Sequence, residues 1–114
     1  MADRTIKVLE NGRTVSRGVN RNGNSPLIYQ DEDETLPYTV DWSGWLGSDT
    51  IASVTNTTHG PTISAASNTT TTASLTITAS QNGYIEHKIT TAAGSVKELR
   101  IYVNANKETK DYSF

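Results

Sequence analysis

From residue 35 onward, large apolar side chains and small polar ones alternate with a period of two. Leu36, Tyr38, Val40 and Trp42 interleave with Pro37, Thr39, Asp41 and Ser43, the pattern of a half-buried strand with its large residues on one face. Pro37 has no N–H to donate, so this strand belongs at a sheet edge or Pro37 lies near its start. Ser43–Asp49 contains two glycines and predicts a turn with Trp45 and Leu46 tucked inward. Thr50–Thr55 predicts a second strand, Thr57–Pro61 a break, Thr62–Ala65 a short strand around Ile63, and Ser67–Thr70 a loop. Thr72–Ala79 sets Ala73, Leu75, Ile77 and Ala79 inward against outward Thr and Ser. After the turn Gln81–Gly83, Tyr84–Thr91 carries Ile85, His87 and Ile89 on one face. A hairpin loop at Thr91–Gly94 leads into Val96–Asn104, with Leu99, Ile101 and Val103 inward and Arg100 outward. No segment shows a 3.6-residue period, and the β-branched content disfavours long helices.

Six short strands separated by Gly/Asn/Pro turns predict an all-β fold, a small antiparallel β-sandwich over residues 35–104. Its core candidates are Tyr38, Val40, Trp42, Leu46, Ile51, Val54, Leu75, Ile77, Ile85, Ile89, Leu99, Ile101 and Val103. A core of that size is marginal by itself, so contacts between copies are expected to support it.

The segment before it reads differently. Thr5–Leu9 and Arg13–Ser16 are short extended runs around Asn11-Gly12, a two-residue hairpin signal. Val19–Pro26 is turn chemistry without an apolar face. Residues 1–34 are therefore expected to be an extended N-terminal arm, holding at most a hairpin and ending in an acidic linker. Residues 105–114 form a C-terminal tail.

Charge sharpens this division. Residues 1–29 carry a net +3, residues 30–49 a net −6 with no base, and residues 50–114 a net +1. The 36 residues between Asp49 and Glu86 contain no Asp, Glu, Lys or Arg. Such a segment is either a hydroxyl-rich surface or one covered by a neighbour or by copies of itself. Thr, Ser and Asn fill the space: 18, 11 and 9 of the 114 residues.

Candidate chemistry is sparse. There is no Cys, which excludes a disulfide scaffold, a thiolate nucleophile and Cys-based metal sites. Two His do not make a His-rich metal site. Asp31–Glu34 lacks the spacing of a looped calcium site and reads as a solvated linker. Asp41 and Asp49 read as turn caps rather than a glycosidase pair. His59 or His87 could join a Ser/His/Asp triad only with a nucleophile elbow, and no Gly-x-Ser-x-Gly is present. His87, between Ile85 and Ile89, reads as a packed, hydrogen-bonded histidine. Trp42, Trp45 and Tyr38 fit a core better than a sugar-stacking platform. The sequons at Asn56 and Asn68 carry no weight without a secretory signal, and the start MADRTIKV lacks the apolar core of one. No apolar run approaches the roughly 20 residues of a membrane span. The basic arm lacks interleaved aromatics, so nucleic acid is not expected as a partner. No catalytic residue, cofactor or metal is expected.

The run YTVDWSGWLGSDTIASV (Tyr38–Val54) resembles the D-[YF]-x-[VI]-D-W-S-x-x-L…D-T-I-x-S core of small tailed-bacteriophage virion proteins. The likeness continues through the Thr tract Thr69–Thr72, Gly83–Ile89, Thr90–Glu98 and Arg100–Val103, covering residues 36–103. Pro37 stands where that pattern has its first Asp, and Ala73-Ser74-Leu75 where it has a Trp. The resemblance implies an immunoglobulin-like sandwich of the phage fibre–tail adaptor or tail-associated structural kind. It implies a non-enzymatic virion component, made in the host cytoplasm, joining tail to fibre or baseplate proteins. Its partners would be other virion proteins and copies of itself in a symmetric assembly, with no membrane involved. On this reading the arm and tail dock onto neighbours as added strands. The contact residues would be Ile6, Val8, Arg13, Arg17 and Arg21 of the arm, with Tyr112 and Phe114 of the tail. Capsid decoration, with the arm on the head lattice, is one alternative. A carbohydrate-binding module using Trp42, Trp45 or the Thr loops is another.

Overall fold

The computed structural model describes residues 4–10, 14–17, 20–22, 25–31 and 34–106, the side chains of 15–17, 20–22 and 106 excepted. Among the described residues, ten strands form two five-stranded sheets. The chain runs β1 (Thr5–Val8), β2 (Thr14–Arg17), β3 (Asn20–Asn22), β4 (Ser25–Asp31), β5 (Thr35–Asp41), α1 (Ser43–Leu46), β6 (Ile51–His59), β7 (Thr62–Asn68), β8 (Thr72–Thr78), β9 (Gly83–Thr91) and β10 (Val96–Asn106). The first sheet has the order β2-β1-β5-β8-β7 and the second β3-β4-β10-β9-β6. With β5 to β10 taken as the second to seventh strands of an immunoglobulin domain, both sheet neighbourhoods and the crossings between them match that fold. The expected all-β, immunoglobulin-like sandwich is what the chain forms.

Alternation builds the core as the sequence implies. Tyr38, Val40 and Trp42 from β5 and its end meet Leu75 and Ile77 of β8. Across the gap lie Ile85 and Ile89 of β9 and Leu99, Ile101 and Val103 of β10, all buried. Trp42 is 0% exposed and packs edge-to-face on Trp45 with ring centroids 5.7 Å apart. α1 is a single turn seated against β1, with Gly44 so near the Val8 carbonyl that a Cβ there would lie 3.0 Å from its oxygen. It carries Leu46 inward as expected, and Trp45 half-buried.

Two expectations need correction. The sheets are mixed rather than wholly antiparallel: β1 runs parallel to β5, and β4 parallel to β10. The described parts of residues 1–34 are likewise not an arm outside the sandwich. β1 is central in the first sheet and β4 flanks β10 in the second. Ile6, Val8 and Ile28 belong to the same core as Trp42. Their ordering cost is met by packing against a core that the rest of the chain builds. Gln30 completes the join. It is 1% exposed, its Nε2 donates to the carbonyls of Glu34 and Ile77, and its Oε1 accepts the Tyr38 hydroxyl at 2.9 Å. One amide thus ties β4 to β5 and β8 across the gap, and burial pushes the Tyr38 phenol up to about 12. Smaller differences follow from pairing as well: β6 continues through Thr57 to His59, and β7 through Ser67 to Asn68.

Candidate functional site

Inside the sandwich the one imidazole of the core is fully engaged. The Trp42 indole N–H donates to His87 Nε2 at 3.1 Å. Because an indole nitrogen can only donate, Nε2 must hold a lone pair, so the proton sits on Nδ1 and is given to Asn56 Oδ1, 2.6 Å away. Burial holds the imidazole down to about 4, and protonating Nε2 would set two N–H groups face to face. This histidine joins β6, β9 and the end of β5. It has no free nitrogen with which to act as a base.

Asp41, Asp49 and Glu34 are likewise engaged by local groups, mostly backbone amides. Asp41 Oδ1 accepts the Ser43 amide and hydroxyl, capping the entry to α1. Asp49 Oδ1 accepts the Thr50 and Ala93 amides, and the Thr91 hydroxyl, more than any other contact, holds its carboxyl below the ordinary value. Glu34 Oε1 accepts the Asp31 amide and closes the turn between β4 and β5. Among the described residues no group of three or more His, Cys, Asp or Glu could hold a metal ion. With Trp42 in the core, Trp42 and Trp45 do not form a surface platform.

The outer face of the second sheet is where reactive and recognition-type side chains gather. Register sets His59 of β6, Tyr84 of β9, Tyr102 of β10 and Leu27 of β4 side by side across four strands. Arg100 stands opposite Glu86 on the neighbouring rung. The His59 and Tyr84 rings stack at 4.5 Å, Tyr84 and Tyr102 lie 6.2 Å apart, and the Arg100 guanidinium sits 4.3 Å over the Tyr84 ring. Glu86 bridges the set, with Oε1 3.2 Å from His59 Nε2 and Oε2 3.2 Å from Arg100. The His59 hydrogen bond, then Arg100, keeps the Glu86 carboxyl below its usual value. Tyr29 of β4, 55% exposed, extends this face. Tyr and Arg held rigidly on a sheet are the residue types that anchor protein interfaces.

The residues singled out from sequence lie elsewhere. Ile6 and Val8, expected to meet a neighbour, are 0% and 1% exposed and serve the protein's own core. Arg17 ends β2 and Arg21 is the middle residue of β3, strands at the sheet edges farthest from β6 and β7. Arg13, Tyr112 and Phe114 lie outside the described residues. The surface cluster was missed because its members occupy the outward, nominally polar positions. Its signal was the unusual choice of Tyr at two of those positions, beside Glu86 and the outward Arg100.

No curated protein matches the chain. A family model described as the podophage GP4 fiber-tail adaptor protein gp77 matches residues 30–104. That match takes in β5 to β9 whole and most of β10, while β1 to β3 and nearly all of β4 lie outside it. It spans well over half of the sequence, and on it the chain belongs to the podophage GP4 fiber-tail adaptor protein gp77 family.

Proposed function

We propose that this chain is a non-enzymatic structural component of a bacteriophage tail, seated between the tail and its fibre or baseplate proteins. The family match over the sandwich carries the reading. The molecule is suited to the task. Two sheets locked by the Gln30 and His87 networks make a stiff spacer. The Tyr84–Arg100–Tyr102 face offers preordered anchors that lose little side-chain entropy on contact. Partners on this reading are other virion proteins, and the protein resides in the virion.

Localisation on the particle tests it. Antibody-gold labelling of purified virions should mark the tail at the root of the fibres. Particles made without this protein should keep a tail and lack attached fibres. Label on the head, or normal fibre occupancy without the protein, would overturn the proposal.

A further inference from the structure

The outer face of the second sheet carries a regular pattern of charge. Its outward positions on β9 and β10 pair rung by rung: Tyr84 with Tyr102, Glu86 with Arg100, Lys88 with Glu98, and Thr90 with Val96. β6 extends the aromatic rung with His59, and β4 extends it on the other side with Leu27. On each of the two charged rungs the sign changes across the line between β9 and β10, and from one rung to the next the order of the signs reverses. Each rung is therefore neutral. β6 adds no Asp, Glu, Lys or Arg to the face. Val96, at 57% exposure, is the most exposed large apolar residue among those described.

We infer that this face packs against the same face of a second copy, about a two-fold axis that lies in the interface, parallel to the strands and between β9 and β10. Such an axis sets each position against its mirror position across that line. Glu86 then faces Arg100 of the other copy, and Lys88 faces Glu98 of the other copy. Opposite charges meet on both rungs and in both directions. On the aromatic rung Tyr84 faces Tyr102 of the other copy and His59 comes over its Leu27, while Val96 is covered by its Thr90. A face of one sign, or one whose rungs kept their sign across the line, would repel its own copy; this one attracts it. To a partner of a single sign the neutral rungs offer no net attraction. Charge complementarity therefore favours a surface with the same alternation, and the other copy supplies it in register. Four strands about 4.8 Å apart and roughly 30 Å long present ~600 Å² on each copy, at the low end of specific interfaces. This inference rests on the proposed function only in taking this face as one that meets a neighbour, and it names that neighbour.

Sedimentation velocity of the full chain from about 1 µM to about 1 mM tests it. The wild type should show a monomer–dimer equilibrium within that range. Lys88→Glu sets carboxylates against each other on that rung and should raise the dimer dissociation constant at least roughly tenfold. Ser74→Lys, at an exposed position of β8 in the other sheet, should leave it unchanged. The swap Glu86→Arg with Arg100→Glu keeps both the net charge and the change of sign across the axis. It should dimerise with itself about as tightly as the wild type. Mixed with fluorescently labelled wild type it should form few mixed dimers, because like charges then face each other on that rung. Unchanged melting temperatures would certify that the variants fold, and the preference for self over wild type is read as a ratio that survives mild destabilisation. A wild type that stays monomeric throughout, a Lys88→Glu protein that dimerises normally, or a swap that mixes freely with the wild type would overturn the proposal. Gold labelling of the particle is a separate readout, so failure here leaves the place in the tail standing.

Discussion

Acid should destabilise this protein through His87 in a way that a variant without that histidine cannot show. The ordinary imidazole titrates near 6.5, and in the fold it is held down to about 4. The unfolded chain therefore binds a proton between these values that the folded chain refuses. Stability is full above pH 6.5, falls as pH drops from 6.5 toward 4, and levels off below 4, where both states are protonated. The total is about 3 kcal/mol, and between pH 7 and pH 4.5 it is about 2.5 kcal/mol. That corresponds to about 10 °C of melting temperature for a chain of this size. The comparison is His87→Leu, which does not titrate but leaves the Trp42 N–H and Asn56 Oδ1 without their buried partner, at about 1–3 kcal/mol near neutrality. Urea unfolding followed by tryptophan fluorescence at both pH values gives the gap between the two proteins. The other ionisable groups are common to both proteins and cancel in the difference. The wild type's advantage at pH 7 should vanish or reverse by pH 4.5. A gap constant to within about 0.5 kcal/mol, or an NMR titration placing His87 near 6.5, would refute the reasoning.

Trp42→Ala should cost about 3–5 kcal/mol in urea unfolding, most of the stability of a domain this small. Deleting residues 2–24 removes Ile6 and Val8 from the core, a loss of about 3–6 kcal/mol, so the truncated chain should show no cooperative thermal transition. Gln30→Leu keeps the volume but strands the Tyr38 hydroxyl and two carbonyls; thermal melts should report a loss of about 1–3 kcal/mol. Gly83→Ala places a methyl against the His59 carbonyl, backbone on backbone, and should cost on the order of 3 kcal/mol or more by urea titration. Tyr84→Ala with Arg100→Ala should leave a folded protein by circular dichroism that no longer supports fibre attachment in particle assembly.

Strands with a clear period-two alternation were legible, and those that join the sandwich through parallel pairing were not. β8 and β9 are built from alternation long enough to read, and β9 with β10 are joined by a hairpin whose turn fixes their pairing. β1 and β4 are different. Their partners are β5 and β10, the latter some seventy residues away, and parallel pairing leaves no turn in the sequence to announce it. β4 also hides its period, because its inward positions are Pro26, Ile28 and Gln30, one apolar side chain between an imide ring and an amide. Within their own segment Ile6, Val8 and Ile28 are too few to build a core. Set beside Val40, Trp42 and Val103 they are simply part of a core. α1 escaped notice because four residues are too few to display a helical period.

The surface cluster depends on register, and its register rests on one residue. From the hairpin at Thr91–Gly94, counting back along β9 and forward along β10 places Glu86 opposite Arg100 and Tyr84 opposite Tyr102. That half of the face could be derived from the turn. His59 could not. β6 begins with Ile51 opposite Thr91, then admits a bulge at Ala52, so that Ser53 faces Thr90 and every later pairing is displaced by one. Without the bulge Thr58 would stand opposite Tyr84, and His59 would change face. With it, Val54 and Asn56 turn inward, Asn56 to meet His87, while His59 comes out to stack on Tyr84 and reach Glu86. The same inserted residue therefore brings Asn56 to accept the proton of the buried imidazole and sets His59 beside Tyr84 and Glu86 on the outer face. The buried hydrogen bond at His87 and the outer aromatic cluster are two consequences of a single shift in one edge strand.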